Sequence, residues 1–468
     1  MKRLRHGIAA AAVCFVSLGQ AANAEDWLRF RGPNGTGIAG TQNLPLDLSP
    51  GQATWQQEVP FGRSSPIVVE GLVVVTGATE TDLLTAAFDA ASGEPRWQES
   101  VPRLRQDEVF SMSGPGMATP VSDGDSIFVF FPAFGLVAYD LGGKELWRAE
   151  LPPFDNFYGL ASSPVLEGDV LLLQCDQQRA PFLLALNKND GELLWRKERA
   201  IGESWSTPAI LNPGSDSAAI LALGTRSIDT YAVRTGELLS SVSGLGYTPV
   251  ASPIVDGQRV YVTAPDGGSD SPIPTPATMF TYDADDSGTL SVEELNKVGL
   301  GTSLGWLDRN GDGTVTKAEY SETEALWTMQ DFGIVAIDLG QSAEEQIAWR
   351  ERRAVPWIAT PILHKGVLFT VKDGGILTSF EARTGEVIQR GRIEGAAEAF
   401  HPSPIVADDR LYFTSSSGTV AVVSAVGEWE LLQLSELDEP VYASPAVANG
   451  RIFVRTRTKL MSFGRPSH

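Results

Sequence analysis

Two short stretches of this chain carry oxygen-bearing side chains at spacings that could surround a metal ion. In the first, Asp283, Asp285, Ser287, the Thr289 carbonyl, Ser291 and Glu294 stand at positions 1, 3, 5, 7, 9 and 12, with Gly288 at position 6 where the backbone must turn sharply. The second repeats the pattern with Asp308, Asn310, Asp312, the Thr314 carbonyl, Thr316 and Glu319, and with Gly313 at the turn. Oxygen donors suit a hard cation, and a closing glutamate able to bind through both oxygens favours calcium over the smaller magnesium. Each stretch gathers three carboxylates that repel one another without a cation, so binding and local folding should be coupled. Ser291 and Thr316 also open capping boxes, "SVEE" and "TKAE", which predict short helices starting after each loop. The pair reads as two compact tandem loops, each holding one calcium ion. The expected role is a structural clip, with Leu326 and Trp327 pinning the second exiting helix to the rest of the protein.

Other chemistry is sparse. Among histidines, His364 lies in a turn, His468 ends the chain, and His401 in "AFHPSP" is the remaining candidate for proton transfer. No nucleophile triad can be assembled. Cys175 is the single cysteine outside the first 24 residues, so an intramolecular disulfide is excluded after processing. Those 24 residues read as a secretory signal: Lys2, Arg3 and Arg5, an apolar run from Ile8 to Leu18, and "ANA" ending at Ala24. An exported, periplasmic or extracellular protein follows, and no later apolar run is long enough to span a membrane. Losing the three basic residues takes the formal net charge from −22 to −25. Such a surface repels phosphate backbones, which argues against nucleic acid as a partner.

The elements that hold the loops come from a repeat. A phrase recurs as "SSPIV" at Ser64, "ATPVS" at Ala118, "SSPVL" at Ser162, "STPAI" at Ser206, "ASPIV" at Ala251, "ATPIL" at Ala359, "PSPIV" at Pro402 and "ASPAV" at Ala443. Most prolines of the phrase recur every 40 to 45 residues, the period of a four-stranded propeller blade. After each phrase come a turn and an apolar run such as "LVVVTG" or "VLLLQC", as expected of strands covered on both faces. A composition 43% hydrophobic and 20% charged can bury the core this requires. One interval is about 60 residues too long, and the excess, which holds both calcium loops, falls inside the fifth unit.

A second signature ends several units: "AFDAASGEPRW" at Trp97, "AYDLGGKELW" at Trp147, "ALNKNDGELLW" at Trp195 and "AIDLGQSAEEQIAW" at Trp349. It resembles the tryptophan-docking repeat of the quinoprotein (PQQ) dehydrogenase-like propellers. Units four, six and seven depart from it, with Ser240 and Gln389 at two of the tryptophan positions, so those interfaces should pack differently. The eighth unit lacks an outer strand, while "ATWQQEVP" places Trp55 at the docking position ahead of the first unit. The fold expected is therefore an all-β, eight-bladed propeller closed by an N-terminal strand, with a small helical EF-hand pair inserted in blade 5. The organisation reads as signal 1–24, lead-in 25–50, propeller 51–268, EF-hand insertion 269–330 and propeller 331–468.

The segments entering the first strands carry Arg63, Tyr158, Trp205, Tyr247, Trp357, His401 and Tyr442, which would gather at one rim of the ring and bind a protein or small-molecule partner. The resemblance also implies a quinone over the axis, an acidic base and a pair of adjacent cysteines. The cysteine pair is missing and no acid can be assigned as base. The reading is a noncatalytic binding or scaffold module; the alternative is a PQQ-dependent dehydrogenase of alcohols or sugars. The lead-in "DWLRFRGPNGTG", Asp26 to Gly37, resembles the phrase preceding many bacterial propellers of this type and is expected to pack on the ring, its role unassigned.

Overall fold

The structure, a computed structural model, describes residues 26–105, 113–156, 158–247, 249–265, 274–328, 331–342 and 345–464. The segment read as a secretory signal and His468 lie outside them. Eight four-stranded antiparallel sheets form the blades of a closed propeller. Blades 1 to 4 use consecutive strands from Ile67 to Ser243, and blades 6 and 7 run from Ile362 to Glu436. Blade 5 joins Ile254–Asp256 and Arg259–Ala264 to Gly333–Asp338 and Ile347–Glu351, so its second and third strands are separated by the insertion. Blade 8 takes three strands from Ala446–Gly464 and its outer strand from Trp55–Glu58, with Trp55 opposite Ser462. The N-terminal strand thus closes the ring and removes a sheet edge.

The local reasons are repetitive. Second strands such as Ser126–Phe131 and third strands such as Gly135–Asp140 are buried on both faces, whereas fourth strands such as Leu193–Glu198 are exposed along most of their length. The first hairpin of several blades turns through paired left-handed residues, among them Glu70–Gly71, Lys365–Gly366 and Asn449–Gly450, the tight turn that matches strand twist.

Each docking tryptophan lies over a glycine of the next blade: Trp55 on Gly93, Trp97 on Gly143, Trp147 on Gly191, Trp195 on Gly236 and Trp349 on Gly385. A Cβ at any of these glycines would come within 2.8 Å of the ring. The indole N–H donates to a carbonyl in that neighbour, for example Trp147 Nε1 to Lys188 O at 2.7 Å and Trp97 Nε1 to Leu141 O at 2.8 Å. The departures pack differently, as expected. Between blades 6 and 7 the tryptophan comes from the other side: Trp429 reaches back over Gly391, and Gln389 Nε2 donates to Trp429 O at 3.2 Å. Between blades 4 and 5, Arg350 donates to Gly244 O at 2.6 Å.

The recurring hydroxyl before each proline has its own task. Ser65 N donates to Thr119 Oγ1, Thr119 N to Ser163 Oγ, Ser163 N to Thr207 Oγ1, Ser252 N to Thr360 Oγ1, Thr360 N to Ser403 Oγ, Ser403 N to Ser444 Oγ, and Ser444 N to Ser65 Oγ, all at 2.9–3.0 Å. These bonds step from blade to blade around the axis. The link absent among the described residues falls between blades 4 and 5, where Ser252 Oγ is buried without a partner.

The lead-in fills the channel inside this ring. Trp27 bridges Val68 of blade 1, Leu28 O accepts from Ser122 N of blade 2, Asn34 exchanges hydrogen bonds with Ile210 of blade 4, and Ile38 bridges Val406 of blade 7. Arg29 donates to Pro208 O, while Arg31 donates to the carbonyls of Gly35, Thr36, Thr360, Pro361 and Pro404. Burial pulls Arg31 down to about 9, and Arg29 to about 10 against the opposing charge of Glu167, so both stay protonated at neutral pH. Their forks satisfy strand carbonyls that the narrow axis hides from water.

Candidate functional site

Above the plug the axis opens into a funnel of about 850 Å³. Phe30 of the lead-in lies at its lining, as do the ring hydroxyls of Ser65, Thr119, Ser163, Thr207, Thr360, Ser403 and Ser444. All seven rim residues singled out in the sequence, Arg63, Tyr158, Trp205, Tyr247, Trp357, His401 and Tyr442, line it together. Each arrives by the same route, since the connection entering a first strand ends at the axis. Tyr158 meets Trp205 edge-on at 5.6 Å between ring centroids, and Trp205 Nε1 is held by Asn156 Oδ1 and Gly159 O. Opposite, the Arg63 guanidinium lies 4.2 Å from the centre of the Tyr442 ring, which in turn packs beside His401. Burial lowers the His401 pKa, with Arg63 adding to the effect and Asp373 opposing it, so the ring is neutral at pH 7. Trp357 is half exposed at 49%. No carboxylate occurs among the described residues lining the funnel.

Two further rings come from the insertion: Trp327, expected there as a pin, and Trp306, which the sequence did not mark. Trp306 packs on Tyr247 at 5.9 Å and on Tyr158 at 6.4 Å, bridging the entries to blades 5 and 3. Trp327 also lines the funnel and hydrogen-bonds Tyr247. The expected pin therefore reaches the funnel itself, and its neighbour Leu326 is buried. Trp306 follows no repeat, so nothing in its spacing marked it.

The insertion is a paired-loop unit. Thr289–Leu290 pairs antiparallel with Val315–Thr316, and Met279, Leu290, Leu295, Leu307, Val315 and Tyr320 form a separate small core. Both capping boxes are present, starting the helices Val292–Asn296 and Lys317–Trp327. Single carboxylate oxygens of Asp283, Asp285 and Glu294 lie within 4.8 Å of one another. Gly288 N donates to Asp283 Oδ2 and Gly313 N to Asp308 Oδ2, each at 2.8 Å, so both loops curl around their first aspartate. The donor set of the first loop fits a calcium ion. A quinone fits less well: flat rings are plentiful, but the described residues lining the funnel include no carboxylate to act as base or to anchor a metal, and Cys175 is buried away from it.

Deep between blades 3 and 4, Arg199 lies 3.2 Å from Asp176 and 3.3 Å from Asp229, with Ser204 Oγ and Gln174 Nε2 donating to Asp176. Burial raises Asp176 to about 6 despite the opposing arginine. The cluster stands behind Trp205 and supports that wall.

Comparison with known proteins came to the same architecture. The family profile described as outer membrane protein assembly factor BamB matches residues 38–180, 86–267 and 311–435, which together exceed half the chain. An EF hand profile matches residues 281–299. The outer membrane protein assembly factor BamB of Shewanella oneidensis is 24% identical over 272 residues, covering 52% of this chain and 66% of that relative, short of two thirds of its length. The crystal structure of BamB from Moraxella catarrhalis superposes with a TM-score of 0.53 at 11% identity over 88% of this chain and 99% of that one. A europium-containing methanol dehydrogenase gives 0.60 at 11% identity over 92% and 90%. Such identities show the fold alone. The chain is a PQQ-repeat β-propeller and belongs to the family whose profile is described as outer membrane protein assembly factor BamB.

Proposed function

We propose that the protein is an exported, calcium-binding propeller that acts as a noncatalytic binding module, receiving a protein or small-molecule partner in the aromatic funnel. The observation that carries this reading is the funnel's lining: rings from at least five connections and from the insertion, one guanidinium, a neutral imidazole, and no carboxylate among the described residues. Aromatic walls bury much area at low entropic cost and suit recognition, whereas proton transfer at neutral pH needs a placed base. The name of the relatives, an assembly factor of the outer membrane, supports protein partners and an envelope location for this chain as well. Asp283, Asp285, Ser287, Thr289, Ser291 and Glu294 would hold one calcium ion, and Asp308, Asn310, Asp312, Thr314, Thr316 and Glu319 a second. The ions would neutralise the loop carboxylates and hold the insertion folded.

The test compares the wild type with a variant in which Trp205, Trp357 and Tyr442 are all changed to alanine, each immobilised and exposed to native envelope extract. A partner retained by the wild type and lost by an equally stable variant supports the funnel. Retention by both places the binding surface elsewhere. Reconstitution with PQQ and calcium, followed by dye-linked oxidation of alcohols, provides the opposing result: turnover above the cofactor-free control overturns the noncatalytic reading.

A further inference from the structure

The junction between blades 8 and 1 gathers positive charge beside the funnel. Arg63 stands in the connection entering blade 1, Arg455 ends the strand Arg451–Arg455 of blade 8, and Arg457 follows on the exposed surface. These arginines line a crevice of about 10 Å³ with Phe61, Gly62 and Tyr442, and because Arg63 and Tyr442 also line the funnel, the two spaces share a wall. Gly62 keeps the crevice open, since a Cβ there would come 2.7 Å from Arg455 Nη2. Arg455 is 1% exposed; its Nη1 donates to Ser64 Oγ at 2.7 Å and its Nη2 to Pro60 O at 2.8 Å, yet its buried Nε has no partner. Burial pulls this arginine down to about 9 with no acid opposing, so it stays charged at neutral pH. Burial also lowers Arg63, against the pull of Tyr442, and the Arg457 charge lowers it further. Glu439, in the connection entering blade 8, is engaged elsewhere, accepting from the hydroxyls of Thr456 and Thr458 and from Thr458 N. In a chain of formal net charge −22, cations therefore converge here around a fully buried guanidinium that no carboxylate offsets.

We propose that this crevice binds an oxyanion, a carboxylate or a phosphate, carried by the ligand whose apolar body lies in the funnel. This rests on the reading of the funnel as the binding site and narrows its ligand to an anion. The crevice has room for about one oxygen atom, so a single oxygen of the group enters toward Arg455 while the rest stays at the mouth with Arg63 and Arg457. Guanidinium N–H groups lie in the plane of the fork and match the oxygens of either anion. Arg63 keeps its face on Tyr442, 4.2 Å from the ring centre, and so can donate from its edge without leaving the tyrosine. The aromatic lining alone would equally suit a cationic ligand. Charge decides against that occupant: the described residues lining the funnel include a guanidinium and no carboxylate.

The experiment measures, by calorimetry on the full mature chain, the affinity of phenylacetate, phenyl phosphate, 2-phenylethanol and phenethylamine, which share one aromatic ring and differ in charge. The two anions should bind at least about tenfold tighter than the alcohol or the amine, the worth of one charge-assisted hydrogen bond. The tighter of the two anions tells a carboxylate source from a phosphate source. Arg457→Gln, at an exposed position, should weaken both anions by about tenfold and leave 2-phenylethanol unchanged, and Arg63→Gln should do the same. The proposal is overturned if the alcohol binds as tightly as the anions, if the amine binds tightest, if the anion preference survives both substitutions, or if neither anion binds. Binding of the alcohol without any anion preference would remove the oxyanion site and leave the funnel as an apolar receptor. Loss of the envelope partner in the pull-down, with anion binding intact, would instead remove the partner reading and leave the oxyanion site.

Discussion

His401 shows how the funnel disciplines a single side chain. Its ring is partly buried beside Tyr442, with Nδ1 lacking a partner, and burial holds its pKa below the usual value while Arg63 lowers it further and Asp373 opposes. In the unfolded chain the imidazole takes up its proton near pH 6.5. Below that pH the unfolded state therefore binds more protons than the folded one, and stability falls as pH drops from 6.5 toward the lower folded value. Above pH 6.5 both states are neutral and the contribution is fully present. His401→Gln should accordingly lose less stability between pH 7 and pH 5 than the wild type, read from urea midpoints at the two values. Equal losses would show that the imidazole titrates freely. This residue, like Trp205 and Tyr442, was legible because the Ser/Thr-Pro phrase marks where each connection meets the axis. Trp306 was not, because its position depends on how the insertion folds back over the ring.

At the scale of the element, the lead-in is the part whose role sequence reasoning left open. Its turn residues and aromatics announced order, yet its partners are strand carbonyls far along the chain: Arg31 reaches Thr360, Pro361 and Pro404, and Asn34 reaches Ile210. Main-chain acceptors carry no side-chain signature, so no pattern could name them. The structure makes the segment a stopper for the axis, with Phe30 facing the funnel. Arg31→Met keeps most of the side-chain volume but leaves five carbonyls without a donor. At roughly 1–3 kcal/mol for each buried group left unpaired, with some relieved by neighbouring donors, the loss should be at least ~3 kcal/mol in urea unfolding. Arg31→Lys should recover only part of it, since a single ammonium cannot span a fork of acceptors. A cost under ~1 kcal/mol for Arg31→Met would mean that water enters the channel and the plug is loose. The two acidic loops of the insertion were the opposite case: their turn glycines and capping boxes were readable, because the contacts that define them are local.

For the whole molecule, the eight blades were countable from one repeated phrase, while the order of closure depended on one short strand. Trp55–Glu58 pairs with Lys459–Gly464, and the Trp55 ring covers Gly93 of blade 1 with its N–H bonded to Ala90 O at 3.1 Å. The same segment, before reaching this strand, threads the axis and crosses blade 7, where the Asp408 carboxylate accepts from the backbone N–H groups of Gln42 and Leu44. One stretch of chain therefore ties blade 8 to blade 1 at the circumference and several blades together at the hub. Removing residues 26–60 leaves Lys459–Gly464 as a bare edge, exposes the channel carbonyls, and takes away a tryptophan dock at the same time. Blades then hold mainly to their immediate neighbours, so unfolding should lose its single cooperative transition and broaden, and the protein should self-associate through the new edge. A synthetic peptide of residues 26–60 added in trans should restore the sharp transition, because its binding sites are preformed by the other blades. A truncated protein that melts as sharply and as high as the parent, with no response to the peptide, would show that the ring holds without its clasp.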